Sequence, residues 1–182
     1  MAMFLVDTNV MLAASAVQEL SNLAVRAMPR EIELRETIYQ WLANFDVSDE
    51  RIVLDEEGVI RDEYERNMQY NQVLHGQEYG MQVLQNKIDR NLADYVPIDV
   101  VMGNGECIAT LSQELEALVT DREDRKWVAS ALATQILHGE MPPIVYGAET
   151  DWFIAENGLG LHGICFCRLL PDHWYNERVP AA

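Results

Sequence analysis

Positive charge is what this sequence has least of. Thirteen Lys and Arg residues stand against thirty Asp and Glu, for a formal net charge of −17. That excess repels a polyanion at long range and disfavours unaided, non-specific binding of nucleic acid. It is compatible with cation binding, with a basic protein partner or with simple solubility. Cysteine is nearly as scarce. Cys107, Cys165 and Cys167 form an odd set without framework spacing, which argues against a disulfide scaffold. Cys165 and Cys167 alternate in ICFCRLL and are expected as two small buried thiols on a strand. The four histidines show no pairing at zinc-ligand spacing, so no zinc site is expected. No apolar run approaches the ~20 residues of a membrane-spanning helix. The first residues also lack the basic flank and long apolar core of a secretory signal. The expectation is a cytoplasmic protein with no membrane partner.

Apolar residues are plentiful. At 182 residues and 49 % hydrophobic content, the chain is expected to form a single domain with a sizeable core. That core spans 1–171, with 172–182 as a polar, peripheral tail. Short β-like runs alternate with longer helical ones, which indicates an α/β fold. Strands are expected at Phe4–Val6, Arg51–Leu54, Val96–Met102, Ile144–Tyr146 and Ile164–Leu170. Helical spacing links Met11, Leu12, Val17, Leu20, Leu23, Ala24 and Ala27, and Leu34 to Phe45 form a second stripe. Further helical faces follow at Val59–Met68, Val83–Leu92 and Ile108–Leu118. Gly103-Asn104-Gly105 reads as a turn. Thr120 and Glu123 have capping-box spacing for a helix carrying Trp127 and Val128. Asp151 to Asn157 reads as one or two helical turns stopped at Gly158.

The acids fall where such a fold could gather them. In FLVDTNVML, Asp7 ends the first strand, and Thr8 and Asn9 separate it from the next apolar run. Glu149 and Asp151 follow the fourth strand. Glu63 and Asp124 lie near the starts of two helices. Ligands of parallel sheets bind beyond the carboxyl ends of the strands. Carboxylates converging there suit Mg²⁺, and two such ions could flank a phosphodiester. Each acid also has a plainer reading. Asp7 could cap a helix, Glu63 could belong to a solvated acidic face, Asp124 could favour a helix dipole, and Asp151 could cap the helix after it. Asp124 is surplus to the cap that Thr120 and Glu123 would supply. The reading adopted makes Asp7 a metal ligand and leaves any capping to Thr8 or Asn9.

The order LVDTNV, IRDEY, DRKWVASALA, ETDW and LHGICFCRLLP resembles the PIN-domain family. The likeness spans nearly the whole chain, with 16–49 and 68–104 matched loosely. It implies a three-layer α/β/α fold around a mainly parallel sheet of about five strands. It also implies a Mg²⁺- or Mn²⁺-dependent nuclease, most often acting on RNA. By that resemblance, Asp7, Glu63, Asp124 and Asp151 are the catalytic and metal-binding acids, and Asn9 supports Asp7. Where family members often have Asp-x-Asp, this chain has Glu149-Thr150-Asp151, so Glu149 is kept as a further metal ligand. Thr8 or Asn9 would orient Asp7. Arg61, Arg66, Arg122, Arg125 and Lys126 could form a basic rim for substrate phosphates, or pair with neighbouring acids on helix surfaces. The partners expected are an RNA substrate, with a protein partner or antitoxin and a homodimer left open. The competing reading is a non-catalytic, PIN-like interaction domain.

Overall fold

Five short apolar runs build one sheet. The computed structural model describes residues 1–103 and 105–179; Asn104, in the expected turn, and 180–182, in the expected tail, lie outside the described residues. Strands β1 (Met3–Val6), β2 (Arg51–Asp55), β3 (Ala93–Val96), β6 (Ile144–Tyr146) and β7 (Phe166–Arg168) are all parallel, in the order β3-β2-β1-β6-β7. Leu5, Val6, Ile52, Val53, Ile144 and Val145 are wholly buried. Runs apolar on both faces are what a parallel sheet covered on two sides requires.

Helices cover both faces, giving a three-layer α/β/α fold. Helices α1 (Thr8–Ser15), α2 (Ile32–Val47) and α4 (Tyr79–Asp89) pack together as one layer. Phe4 reaches this layer and meets Trp41 and Phe45 edge-on at 5.9 and 5.8 Å. Helix α6 (Arg125–His138) packs against β1, β2, β3 and β6, and also meets α3 (Val59–Asn67). Between these last two, Trp127 and Tyr64 sit at a centroid distance of 6.0 Å. Helix α5 (Gln113–Leu118) packs on α7 (Thr150–Gly160). No helix among the described residues is long and apolar enough to cross a membrane.

Several expectations need correction. The strand expected over Val96–Met102 is divided. Its first residue ends β3, and Pro97 has no N–H to continue a ladder. Val100–Gly103 is β4 of an antiparallel hairpin with β5 (Glu106–Ala109), so Ile108 lies on a strand and not on a helix. Helix α1 stops at Ser15, and 22–25 form a single 3-10 turn. Helix α7 runs through Gly158 to Gly160. The segment after Pro171 is not peripheral: α8 (Asp172–Asn176) buries Trp174 and Tyr175. Tyr175 stacks on Phe153 at 4.8 Å and donates its hydroxyl to the Gly147 carbonyl at 2.5 Å. Cys165 is exposed and Cys167 half-buried, so the paired buried thiols are not found.

Candidate functional site

The sheet reverses its winding between β1 and β6. From β1 the chain proceeds outward to β2 and β3, then returns to the other side of β1 for β6 and β7. Val6 and Val145 are in register, so the carboxyl ends of β1 and β6 lie side by side. This is the switch point at which open parallel sheets bind ligands. Asp7 is the first residue beyond β1, and Glu149 follows β6 after Gly147 and Ala148.

Asp7 is 5 % exposed. Its Oδ1 accepts from the Asn9 backbone N–H at 2.8 Å and from the Asn9 side-chain amide. Its Oδ2 accepts from the Trp152 indole N–H at 2.7 Å. Asp7 is therefore itself the N-cap of α1, the duty expected of Thr8 or Asn9. Asn9 also accepts, through Oδ1, from the Gly147 N–H at 2.8 Å, which ties the ends of β1 and β6 together. Burial pushes the Asp7 carboxyl up to about 6, against the lowering effect of Trp152 and Asn9. The acid ending β2 behaves differently. Asp55 gives both oxygens to the Val59 and Ile60 N–H groups at 2.6 and 2.7 Å and serves only to start α3.

Asp124 occupies the N-cap position of α6, yet its side chain makes no capping bond. The expected box between Thr120 and Glu123 does not form. Residues before Arg125 are a turn, and the Glu123 N–H donates to Asp121 Oδ1 at 2.9 Å. Burial, then the charges of Asp7 and Asp121, push Asp124 up to about 8. Glu149 is half-buried and caps α7, accepting weakly from the Asp151 N–H at 3.4 Å; the cap had been expected of Asp151. Burial and then Asp7 raise Glu149 to about 7. Asp151 is exposed on the first turn of α7. It lines a cavity of about 310 Å³ with Asp121, Asp124 and Trp152.

Glu63 has partners of its own. Its Oε1 accepts from the Thr8 hydroxyl and its Oε2 pairs with the Lys126 ammonium. Lys126 is 2 % exposed and also donates to the Glu123 carbonyl. Glu63 and Lys126 both act on Asp7, and the Lys126 charge also lowers Asp124. The acids around Asp7 fall into two sets, one ion-paired and one not. One holds Glu63 and an internal cation. The other holds Asp124 and Glu149, and neither these two nor Asp7 forms an ion pair among the described residues.

The chain matches no protein-family model, no curated protein and no solved structure with which it was compared. Among the described residues, no group of three or more His, Cys, Asp and Glu stands ready to hold a metal ion. Asp7 is bonded to Asn9 and Trp152, and both Glu63 oxygens are engaged. The donor set nonetheless fits a hard cation. Asp7, Asp124 and Glu149 offer oxygen only, and the last two are raised by the charge of the first. Neither of those two side chains is strongly held, since Asp124 makes no capping bond and Glu149 accepts only at 3.4 Å.

The expected basic rim is mostly paired. Arg61 bonds Glu65 at 2.8 Å, Arg125 bonds Glu116 at 2.8 Å, and Arg66 lies 4.0 Å from Glu123. Arg122 is exposed and forms no ion pair among the described residues. A groove of about 600 Å³ between α3, the β4–β5 hairpin and α6 is lined by Arg66, Arg122 and Lys126 against five acids, so its balance is acidic. Sequence reasoning missed Trp152, Asp121 and Gly147. The indole was visible inside ETDW, but only the fold shows that its N–H reaches Asp7.

Proposed function

We propose that this domain is a metal-dependent ribonuclease that hydrolyses phosphodiester bonds with Mg²⁺ or Mn²⁺ held by Asp7, Asp124 and Glu149. One observation carries the reading: at the switch point of a parallel sheet, Asp7, Asp124 and Glu149 form no ion pair, and the charge of the first raises the other two. Adjacent buried acids raise one another's pKa, and a divalent ion between them removes that conflict. The resemblance to the PIN-domain family supports RNA as the substrate. When bound, the ion lowers the pKa of a coordinated water and stabilises charge on the phosphodiester. The chain's own part is positioning. Asn9 and Trp152 fix the Asp7 carboxylate, and the Asn9–Gly147 bond keeps the two strand ends together. Asp124 has no capping bond to lose in binding the ion. Asp151 lines a cavity with Asp124, and Arg122, exposed and without an ion pair among the described residues, is the basic side chain left for phosphate.

The test is cleavage of single-stranded RNA with Mn²⁺ by purified Asp7→Asn and Asp124→Asn. Either change is expected to lower the rate by ~100-fold or more, the scale seen when one charge-stabilising group is lost. Cleavage surviving either change overturns the mechanism. The acidic groove favours a second reading, an interaction domain that binds a basic protein such as an antitoxin. Stoichiometric protein binding in calorimetry, with no heat from Mn²⁺, would decide for it.

A further inference from the structure

Glu63 already faces a cation. Lys126 Nζ pairs with Glu63 Oε2, donates to the Glu123 carbonyl and lies 5.3 Å from the centre of the Trp127 ring. Its side chain is 3 % exposed, and that of Glu63 is 13 % exposed. The other Glu63 oxygen is taken by Thr8. A divalent ion entering here would have to displace a buried ammonium and strip it of all three contacts. A buried charge that loses its partner is strongly destabilising. The Lys126 charge also reaches Asp124, but no ion pair among the described residues has to be broken for Asp124 or Glu149 to take a metal ion.

We propose that Lys126 is a built-in cation standing in for a second divalent ion, so that the domain binds one metal ion and not two. This rests on the metal-dependent reading above. Lys126 is a positioning residue in this scheme. It keeps Glu63 neutralised and keeps Thr8 turned toward α3, leaving Asp7 as the acid shared between the fixed ammonium and the exchangeable ion. A carboxylate pointing into the same space without Lys126 would be a free ligand.

The experiment counts Mn²⁺ ions by calorimetry and by electron paramagnetic resonance, without reference to activity. One ion is expected for the wild type and two for Lys126→Met, which keeps the volume and removes the charge. In Lys126→Met with Glu63→Gln, the second ion should vanish. Two ions in the wild type overturn the inference, as does one ion in a folded Lys126→Met. Should Lys126→Met fail to fold, Glu63→Gln alone decides. The count is read there as well: one ion or none supports the inference, and two ions overturn it, because the ammonium would still be present. A wild type that binds no Mn²⁺ at all refutes the metal reading itself, and the inference with it.

Discussion

The buried Asp7 carboxyl should contribute a fall in stability as pH rises, and Asp7→Asn should remove that contribution while leaving the parts that Asp124 and Glu149 supply. The ordinary value of 3.8 becomes about 6 in the folded chain. A carboxyl with a higher pKa folded than unfolded holds its proton more tightly in the native state. The stability it contributes is whole below about pH 4 and is lost as pH climbs through 6. A rise of about 2 at ~1.4 kcal/mol per pH unit gives ~3 kcal/mol lost between pH 4 and 7. Asn cannot ionise, so the variant escapes this loss. It suffers instead a roughly pH-independent cost, because its NH₂ must face a donor that the carboxylate had accepted from. The stability difference between variant and wild type should therefore shift by ~3 kcal/mol in favour of the variant from pH 4 to 7. Urea unfolding in the presence of EDTA measures it. Parallel curves for the two proteins would show that Asp7 is not protonated by burial, and the electrostatic account of the site would fall.

Other consequences can be checked with the same methods. Trp152→Phe removes the N–H that meets Asp7 Oδ2. It should destabilise the chain by ~1–3 kcal/mol more at pH 8 than at pH 5, where the carboxyl is protonated; an equal loss at both would mean that the indole serves packing alone. Gly80→Ala should lower Tm by at least ~5 °C despite the better helix propensity of Ala. The added Cβ would lie 2.8 Å from Met11 Cβ and 2.9 Å from the Met11 carbonyl, so α1 and α4 must separate. An unchanged Tm on thermal denaturation would refute that packing argument.

Much of the sheet was legible because its signal is local. Leu5-Val6, Ile52-Val53 and Ile144-Val145 are continuous apolar pairs, and each is buried in a central strand. The edge was harder. Val100 to Gly103 carries the same apolar composition as a sheet strand, but Val101 and Met102 are exposed in a hairpin of its own. Composition does not distinguish those two fates; Pro97 was the warning. Trp174 and Tyr175 were hidden among polar neighbours, and their burial depends on a docking surface that no local pattern reveals. Within the site, Asp7 was readable as a polar break between two buried runs. The Lys126–Glu63 pair was not, because it joins α3 to α6 across 63 positions of sequence. Asp55 shows the limit of placement alone, since an acid at a strand end can be wholly occupied with starting a helix.

The bond from Tyr175 to the Gly147 carbonyl has a consequence for how the chain matures. Gly147 is gripped on one side by Asn9 and on the other by Tyr175, while Asp7 waits for Trp152. The bonds that tie the end of β1 to its neighbours, Gly147 to Asn9 and Trp152 to Asp7, join residues 138 and 145 positions apart. Contacts of such long sequence separation form late. Asp7 is thus set late, and a chain cut after Pro171 would keep Asp7, Asp124 and Glu149 while losing the hydroxyl that holds the Gly147 carbonyl.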